Sequence, residues 1–201
     1  IPPVVIFQQM STGMNAFAML AIPFFIYSGD LMIRGGIADR LIQFAASLVG
    51  HLRGGLGQVN VITCTLFGGI SGSAVADASA VGGIMIPQMV KRGYAADYAV
   101  NVTANAAIIA LLVPPSHNMI IYSLAAGGTI SIADLFTAGV IPGLMLCIAL
   151  MITAWIVAVK RGYPADALPG FAMVMRYLVA ALPGLLLIGI IFGGVRSGVF
   201  T

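Results

Sequence analysis

An aspartate inside an otherwise apolar, glycine-rich stretch is the residue of this sequence best suited to chemistry. The stretch is GGISGSAVADASAVGG, residues 68–83, and Asp77 is the only acid between positions 54 and 90. An ionisable group at membrane depth costs roughly 3 kcal/mol even on lenient insertion scales, so a function or a partner must offset it. Asp77 has three possible uses: binding a cation, accepting hydrogen bonds that shape the turn, or complementing a helix dipole. Just ahead of it, Ser73 is a fitting N-cap. Free N–H groups and the positive helix end there would favour an anion or a substrate carboxylate. A capped, tightly packed turn is the plainer alternative.

A second candidate lies at LLVPPSHN, residues 111–118. Pro114 and Pro115 remove backbone donors and disfavour helix in the residue before them, so a helix beginning near Ala95 should break at Leu111 to Val113. Carbonyls freed around Ala110, Leu112 and Val113 are hard oxygens of the kind that bind sodium where membrane helices are interrupted. A proline kink repaired by neighbouring hydroxyls competes with that reading. Asp97, Asn101 and Asn105 recur at every fourth residue, a polar stripe expected to face other helices and not lipid. Beyond the break, Ser116, His117 and Asn118 open a second half-helix, where they either line a path or cap and pack. Cys64 and Cys147 sit far apart in apolar segments without CxxC spacing, which suits small packing residues.

These residues need elements to position them, and the composition says where those elements lie. The 201 residues are 60% hydrophobic and only 7% charged, with a mean hydropathy of +1.07. Soluble domains carry roughly 25% charged residues, so the chain is an integral membrane protein of several spans. Its six acids are all Asp and its nine bases cluster at segment ends, a distribution unlike a nucleic acid-binding face. Segments 15–33, 135–158 and 177–195 approach the ~20 apolar residues that cross a bilayer. Residues 37–50 place Ile37, Leu41, Phe44, Ala45 and Leu48 on one stripe, with Asp39, Arg40 and Gln43 off it. That pattern predicts a short helix along the membrane surface.

Arg34, Arg40, Arg53, Lys91, Arg92, Lys160, Arg161 and Arg176 flank segment ends as cytoplasmic loops require, with Arg196 alone opposite and the base-free loop 127–134 outside. His51 and Arg53 precede, and Lys91 and Arg92 follow, the stretch 54–90. It is therefore expected to enter and leave through one face, as a re-entrant hairpin with its polar tip near mid-membrane. Two full spans joined by an outer loop also satisfy the charges, but the tip with Asp77 favours the hairpin. Non-helical backbone at that depth needs a cavity or a protein neighbour. Trp155, Tyr163, Tyr94 and Tyr98 fall near expected interfaces, as an aromatic belt would, although any one of them equally suits ordinary packing. Because the chain starts at Ile1 without a signal pattern and stops at Thr201 just after a span, both ends are expected to be cut.

GGISGSAVADASAVGGIMIPQMVKRGY, VPPSHNMIIYSLAAGGTISIADLFTAGVIPGLMLCIALM and VAVKRGYP together resemble the large membrane subunit of tripartite ATP-independent periplasmic (TRAP) transporters. The likeness runs from AFAMLAIPFFIYSGDLMIRGGIADRL to GGVRSGVFT, where family members usually continue with a Pro-Thr-Glu segment. It implies an all-α integral membrane fold: a multi-span transporter half with a re-entrant helical hairpin (54–90) and a discontinuous helix (95–126). Residues 1–176 would form the N-terminal repeat and 177–201 the truncated first span of an inverted second one.

The implied function is elevator-type, sodium-driven import of a carboxylate, such as a C4-dicarboxylate or a sugar acid, across a bacterial inner membrane. A periplasmic substrate-binding protein would deliver the solute and a small membrane subunit would complete the complex. The same resemblance puts a sodium site at Gly68, Ser71 and Ser73 with carbonyls of Ala110, Val113 and Pro115. It matches Asp77 to the family's hairpin aspartate. Ser73, Asp77, Asn105 and His117 are the candidates for the substrate path. Many members carry a Ser/Thr-rich stretch with Gly-Pro before the double proline, whereas this chain reads ANAAIIALLVPP, leaving main-chain ligands there. PPSHN also replaces the commoner PPSI.

Three other readings compete. A related sodium and anion symporter would work without a binding protein. An intramembrane enzyme would need a nucleophile with its base or clustered metal ligands, and His51 and His117 offer neither. A purely structural membrane protein would leave Asp77 and both breaks without a use.

Overall fold

The computed structural model describes residues 2–14, 17–127 and 129–197, and among them it is helical throughout, without strands. Parts of three expected features, residues 15 and 16 of the first span, Gly128 of the outer loop and 198–201, lie outside the described residues, as does the side chain of Arg196.

Helices α1 (Pro3–Met14) and α2 (Ala21–Arg34) come first, with a 3₁₀ turn at Phe17–Leu20 between them. The expected span 15–33 is thus not one helix. Pro23, in the first turn of α2, cannot donate to the carbonyl one turn back, so the helix restarts there. Its 14 residues cover about 21 Å, short of the hydrocarbon core. Helix α3 (Ile37–Val49) forms where predicted, with Leu41 and Ala45 buried and Asp39, Arg40 and Gln43 exposed. Leu48 leaves the expected stripe and is exposed, while Ala38 and Ile42 join the buried face that packs on α4 and α9.

The centre of the bundle is a helical hairpin of α4 (Gly55–Ser71) and α5 (Ala74–Lys91). The arms run antiparallel, since Asn60 near the start of one meets Met89 near the end of the other. Nearly all of α4 is buried, against α3, α5, α6 and α8. Helix α6 (Ala96–Ala107) then tightens into a 3₁₀ turn at Ile108–Leu111, ends at the two prolines, and resumes as α7 (His117–Ala125). The interruption falls where the missing proline donors put it.

Two long helices follow, α8 (Ile132–Lys160) and α9 (Phe171–Arg196), the latter starting six residues before the expected span. Both are long and apolar enough to cross a membrane and bury few of their side chains, with Ile141, Met145, Ile148, Leu186 and Ile190 among the exposed ones. An apolar outer surface of this kind faces lipid and not water.

Candidate functional site

Helix α4 ends because Gly72 adopts φ +59°, a left-handed conformation that glycine enters without steric cost, and its N–H caps the Gly68 carbonyl at 2.9 Å. One residue on, Ser73 is extended and starts α5. Its hydroxyl accepts from the Ala76 N–H at 3.4 Å, the cap that the sequence predicts. Asp77 follows in the first turn of α5 and is fully buried. Its Oδ1 accepts from the Ser71 hydroxyl, whose own oxygen accepts from the Ser73 N–H at 3.3 Å. Its Oδ2 has no hydrogen-bond partner among the described residues. Buried carboxylate oxygens are rarely left so, and a bound water or ion, stored strain or a functional role accounts for those that are.

The second break meets the first at this point. A Cβ on Gly68 would stand 2.7 Å from the Ala110 Cα and 3.2 Å from the Asp77 Oδ2, so only glycine lets the interrupted helix come this close. Pro114 occupies the position whose N–H would have served the Ala110 carbonyl, and Pro115 the position for Leu111. The peptide between the two prolines is cis. The Ser116 hydroxyl satisfies the Leu111 carbonyl at 2.7 Å instead of capping α7. Leu112 turns its carbonyl toward Gly139 of α8, and Val113 packs its methyls against Gly69 and Gly143.

The Pro115 carbonyl lies directly against Gly72, where any Cβ would overlap it. The His117 N–H points to the Gly72 carbonyl at 3.4 Å. The N-termini of α5 and α7 therefore meet at a single turn. Gly68, Ser71, Ser73, Asp77, Ala110, Val113, Pro115 and His117 all belong to this junction. Two further elements enclose it: Gly29 of α2 packs on Ser71 and Phe25 of the same helix stands 6.1 Å from the His117 ring, while Ile188 of α9 packs on Gly69.

Asn105 does not belong to it. Its amide donates to the Asn101 carbonyl at 2.8 Å, and Asn101 in turn donates to Asp97. The stripe Asp97, Asn101 and Asn105 is exposed and lines an open groove of about 220 Å³ between α6 and α8, rather than facing a neighbouring helix. The face of α6 that packs on the hairpin is the one carrying Ala99, Thr103 and Ala106, because small residues permit close approach.

At the other end of the hairpin, the loop 161–170 straps both arms together. Pro164 accepts from the Gly54 N–H at 3.1 Å and from the Tyr94 hydroxyl at 3.4 Å, and the Asp166 N–H reaches the Gly50 carbonyl at 3.3 Å. Arg92 pairs with Asp166, and Arg161 forms a two-pronged pair with Asp97 at 3.0 Å per prong. The Asp97 hydrogen bonds hold the Arg161 guanidinium above its ordinary pKa. Tyr94, Tyr98 and Tyr163 pack on one another here, with Tyr94 and Tyr98 buried, so they form a cluster inside the protein rather than a lipid-facing belt.

Between base and tip runs a buried network that the sequence reading missed. Asn60 donates to Thr103 at 2.6 Å and accepts from Cys64 at 3.5 Å, joining α4 to α6, while Gln58 donates to the Met151 carbonyl of α8 at 2.9 Å. The signal was present: amide side chains in the apolar arm GLGQVNVITCTLF follow the same rule that singled out Asp77.

An apolar outer surface, two interrupted helices meeting inside the bundle and an orphaned carboxylate oxygen at their junction define a polytopic helical membrane protein built around a buried polar site. The chain belongs to the family described as Tripartite ATP-independent periplasmic transporter, DctM component, whose pattern matches residues 1–201. It is 47% identical over 197 residues to the protein YgiK of Salmonella typhimurium, covering 98% of this chain and 45% of the relative. The sialic acid TRAP transporter large permease protein SiaM of Vibrio cholerae is 44% identical over 194 residues, 96% of this chain and 45% of that one. The C4-dicarboxylate TRAP transporter large permease protein DctM of Rhodobacter capsulatus is 38% identical over 205 residues, 96% and 47%. The chain thus spans about half the length of these relatives. Membership places it among transporter components and not among enzymes.

Proposed function

We propose that this chain is the first half of the large membrane subunit of a sodium-coupled, elevator-type carboxylate importer in a bacterial inner membrane. A periplasmic binding protein delivers the substrate, a C4-dicarboxylate or a sugar acid, and a small membrane subunit completes the complex. The observation that carries this reading is the convergence of the hairpin tip and the proline break on the unpartnered Oδ2 of Asp77.

Hard oxygens suit an alkali cation, and this junction offers the Asp77 carboxylate, the Ser71 hydroxyl and the Ala110 carbonyl stripped of its helical donor. Bound there, the ion would supply the charge that offsets a buried carboxylate. Ser71 orients Asp77 by bonding Oδ1, which leaves Oδ2 for the cation, and Gly68 keeps the way clear of a side chain. The paired N-termini of α5 and α7 present positive helix ends to a carboxylate at the same turn. Substrate and ion then favour each other's binding, as coupled transport requires.

The geometry along α8 supports a re-entrant hairpin. From its C-terminal end, α8 meets Gly54 at Ala158, Gln58 at Met151 and Thr65 at Cys147, and the Val113 level of the tip at Gly143. The break also reaches Gly139, so about seven residues of α8, or about 10 Å, extend past the junction, and a hairpin based at one membrane surface would turn back before the other.

The test is uptake of a carboxylate panel into proteoliposomes by the full-length permease with its small subunit and binding protein. Uptake that needs both sodium and the binding protein, and that weakens in Ser71→Ala, is the expected result. Uptake indifferent to sodium would sink the coupling. Uptake equally fast without the binding protein would favour the simple symporter.

A further inference from the structure

We propose that His117 is a specificity-determining contact of this site, forming one hydrogen bond through Nε2 to an oxygen on the carbon next to the substrate's carboxylate. The substrates selected are then 2-hydroxy and 2-oxo acids over plain carboxylates. The inference rests on the carboxylate reading above and adds the substrate class.

His117 is nine-tenths buried, and its Nε2 has no partner among the described residues. The ring carbon bonded to that nitrogen, Cδ2, lies 3.5 Å from where a Gly72 Cβ would be, so this edge of the imidazole faces the turn where the two helix N-termini meet. Phe25 flanks the ring at 6.1 Å between centroids. The first N–H groups of α7 lack a side-chain cap, because the Ser116 hydroxyl is occupied with Leu111. An apolar residue would fill the same space without stranding a polar nitrogen, whose desolvation is uncompensated unless something binds it. A carboxylate held at the N-termini of α5 and α7 presents its α-substituent as the next group outward. A side chain on the first residue of α7, facing the same turn, is placed to meet it. A site built to hydrogen-bond such an oxygen rejects the analogue that lacks it.

The experiment measures thermal stabilisation of the purified full-length permease in saturating sodium by malate and by succinate, which differ by one hydroxyl. Wild type should half-saturate with malate at a concentration about 10-fold lower than with succinate, the value of one hydrogen bond. His117→Phe, which keeps an aromatic ring beside Phe25, should abolish that preference by raising the half-saturating malate concentration about 10-fold, and His117→Gln, which keeps a donor, should restore part of it. Equal responses of wild type to the two acids would overturn the role of His117 alone. So would a His117→Phe protein that keeps the preference, or one that loses both responses together. No sodium-dependent response to any carboxylate would overturn the carboxylate reading itself, and this inference with it.

Discussion

The two ends of the hairpin are built on opposite principles. At the base, two arginine–aspartate pairs, three packed tyrosines and main-chain bonds from the 161–170 loop give the polar groups partners, with His51 Nδ1 the exception. At the tip, glycines replace side chains, the backbone is interrupted twice, and Asp77 Oδ2 and His117 Nε2 are buried without partners. On the proposed function, the base holds still what the tip offers to a ligand. Unsatisfied buried groups are costly; among the described residues Thr63 Oγ1 and His51 Nδ1 each stand alone, whereas the tip brings two together at one turn, which is what the proposed binding there would explain.

The largest effect should follow from removing the charge at the tip. Asp77→Asn keeps the shape and the Ser71 contact but removes the negative oxygen. The sodium concentration for half-maximal uptake should rise about 10- to 100-fold, the range seen when a group supporting a metal site is lost. A sodium titration of uptake in proteoliposomes checks this. An unchanged half-saturation would mean that the orphaned oxygen serves packing, and the contrast between tip and base would lose its functional meaning.

Next in size is the contact that joins the two breaks. In Gly68→Val the new methyls would press on the Ala110 backbone, and overpacking of this sort costs about 1–3 kcal/mol. Because the strain falls where the hairpin meets the proline break, transport should fail even at temperatures where the variant stays folded. Thermal unfolding and uptake measured on the same preparation separate the two. If both are normal, the close approach at Gly68 is dispensable and the junction is looser than described.

Much of this was legible in the sequence. The hairpin, its Ser73 cap and the proline break all follow from local chemistry, since glycine, serine and proline act on the backbone within a turn of themselves. The convergence of the two breaks was not legible. It depends on Gly68 and Gly69 admitting Ala110 and Val113, and a glycine in sequence does not say which neighbour will use its space. The stripe of Asp97, Asn101 and Asn105 misled for a related reason: every-fourth spacing identifies a face of α6, but small Ala99 and Ala106 decided which face packs. For the tyrosines, belt and ordinary packing stayed open because proximity to a span end is visible in sequence, whereas their mutual packing across the 161–170 loop is not. The aromatic cluster and the strap arise from contacts some 70 residues apart.

The smallest effect should come from the base, although its ion pairs look the strongest on paper. Arg161 and Asp97 meet in a fork of good geometry, but both side chains are about half exposed, so water and salt screen them and side-chain entropy offsets the attraction. Asp97→Asn should therefore shift the unfolding temperature far less than Gly68→Val and leave the sodium dependence of uptake unaltered. Raising the salt concentration should shrink even that shift, because the wild-type pair is the one being screened. The tyrosine cluster and the main-chain bonds to Pro164 remain to hold the strap when the pair is gone. A loss of stability in Asp97→Asn as large as that in Gly68→Val, persisting in high salt, would show the base to be as sensitive as the tip. The division between a holding end and a binding end would then fail.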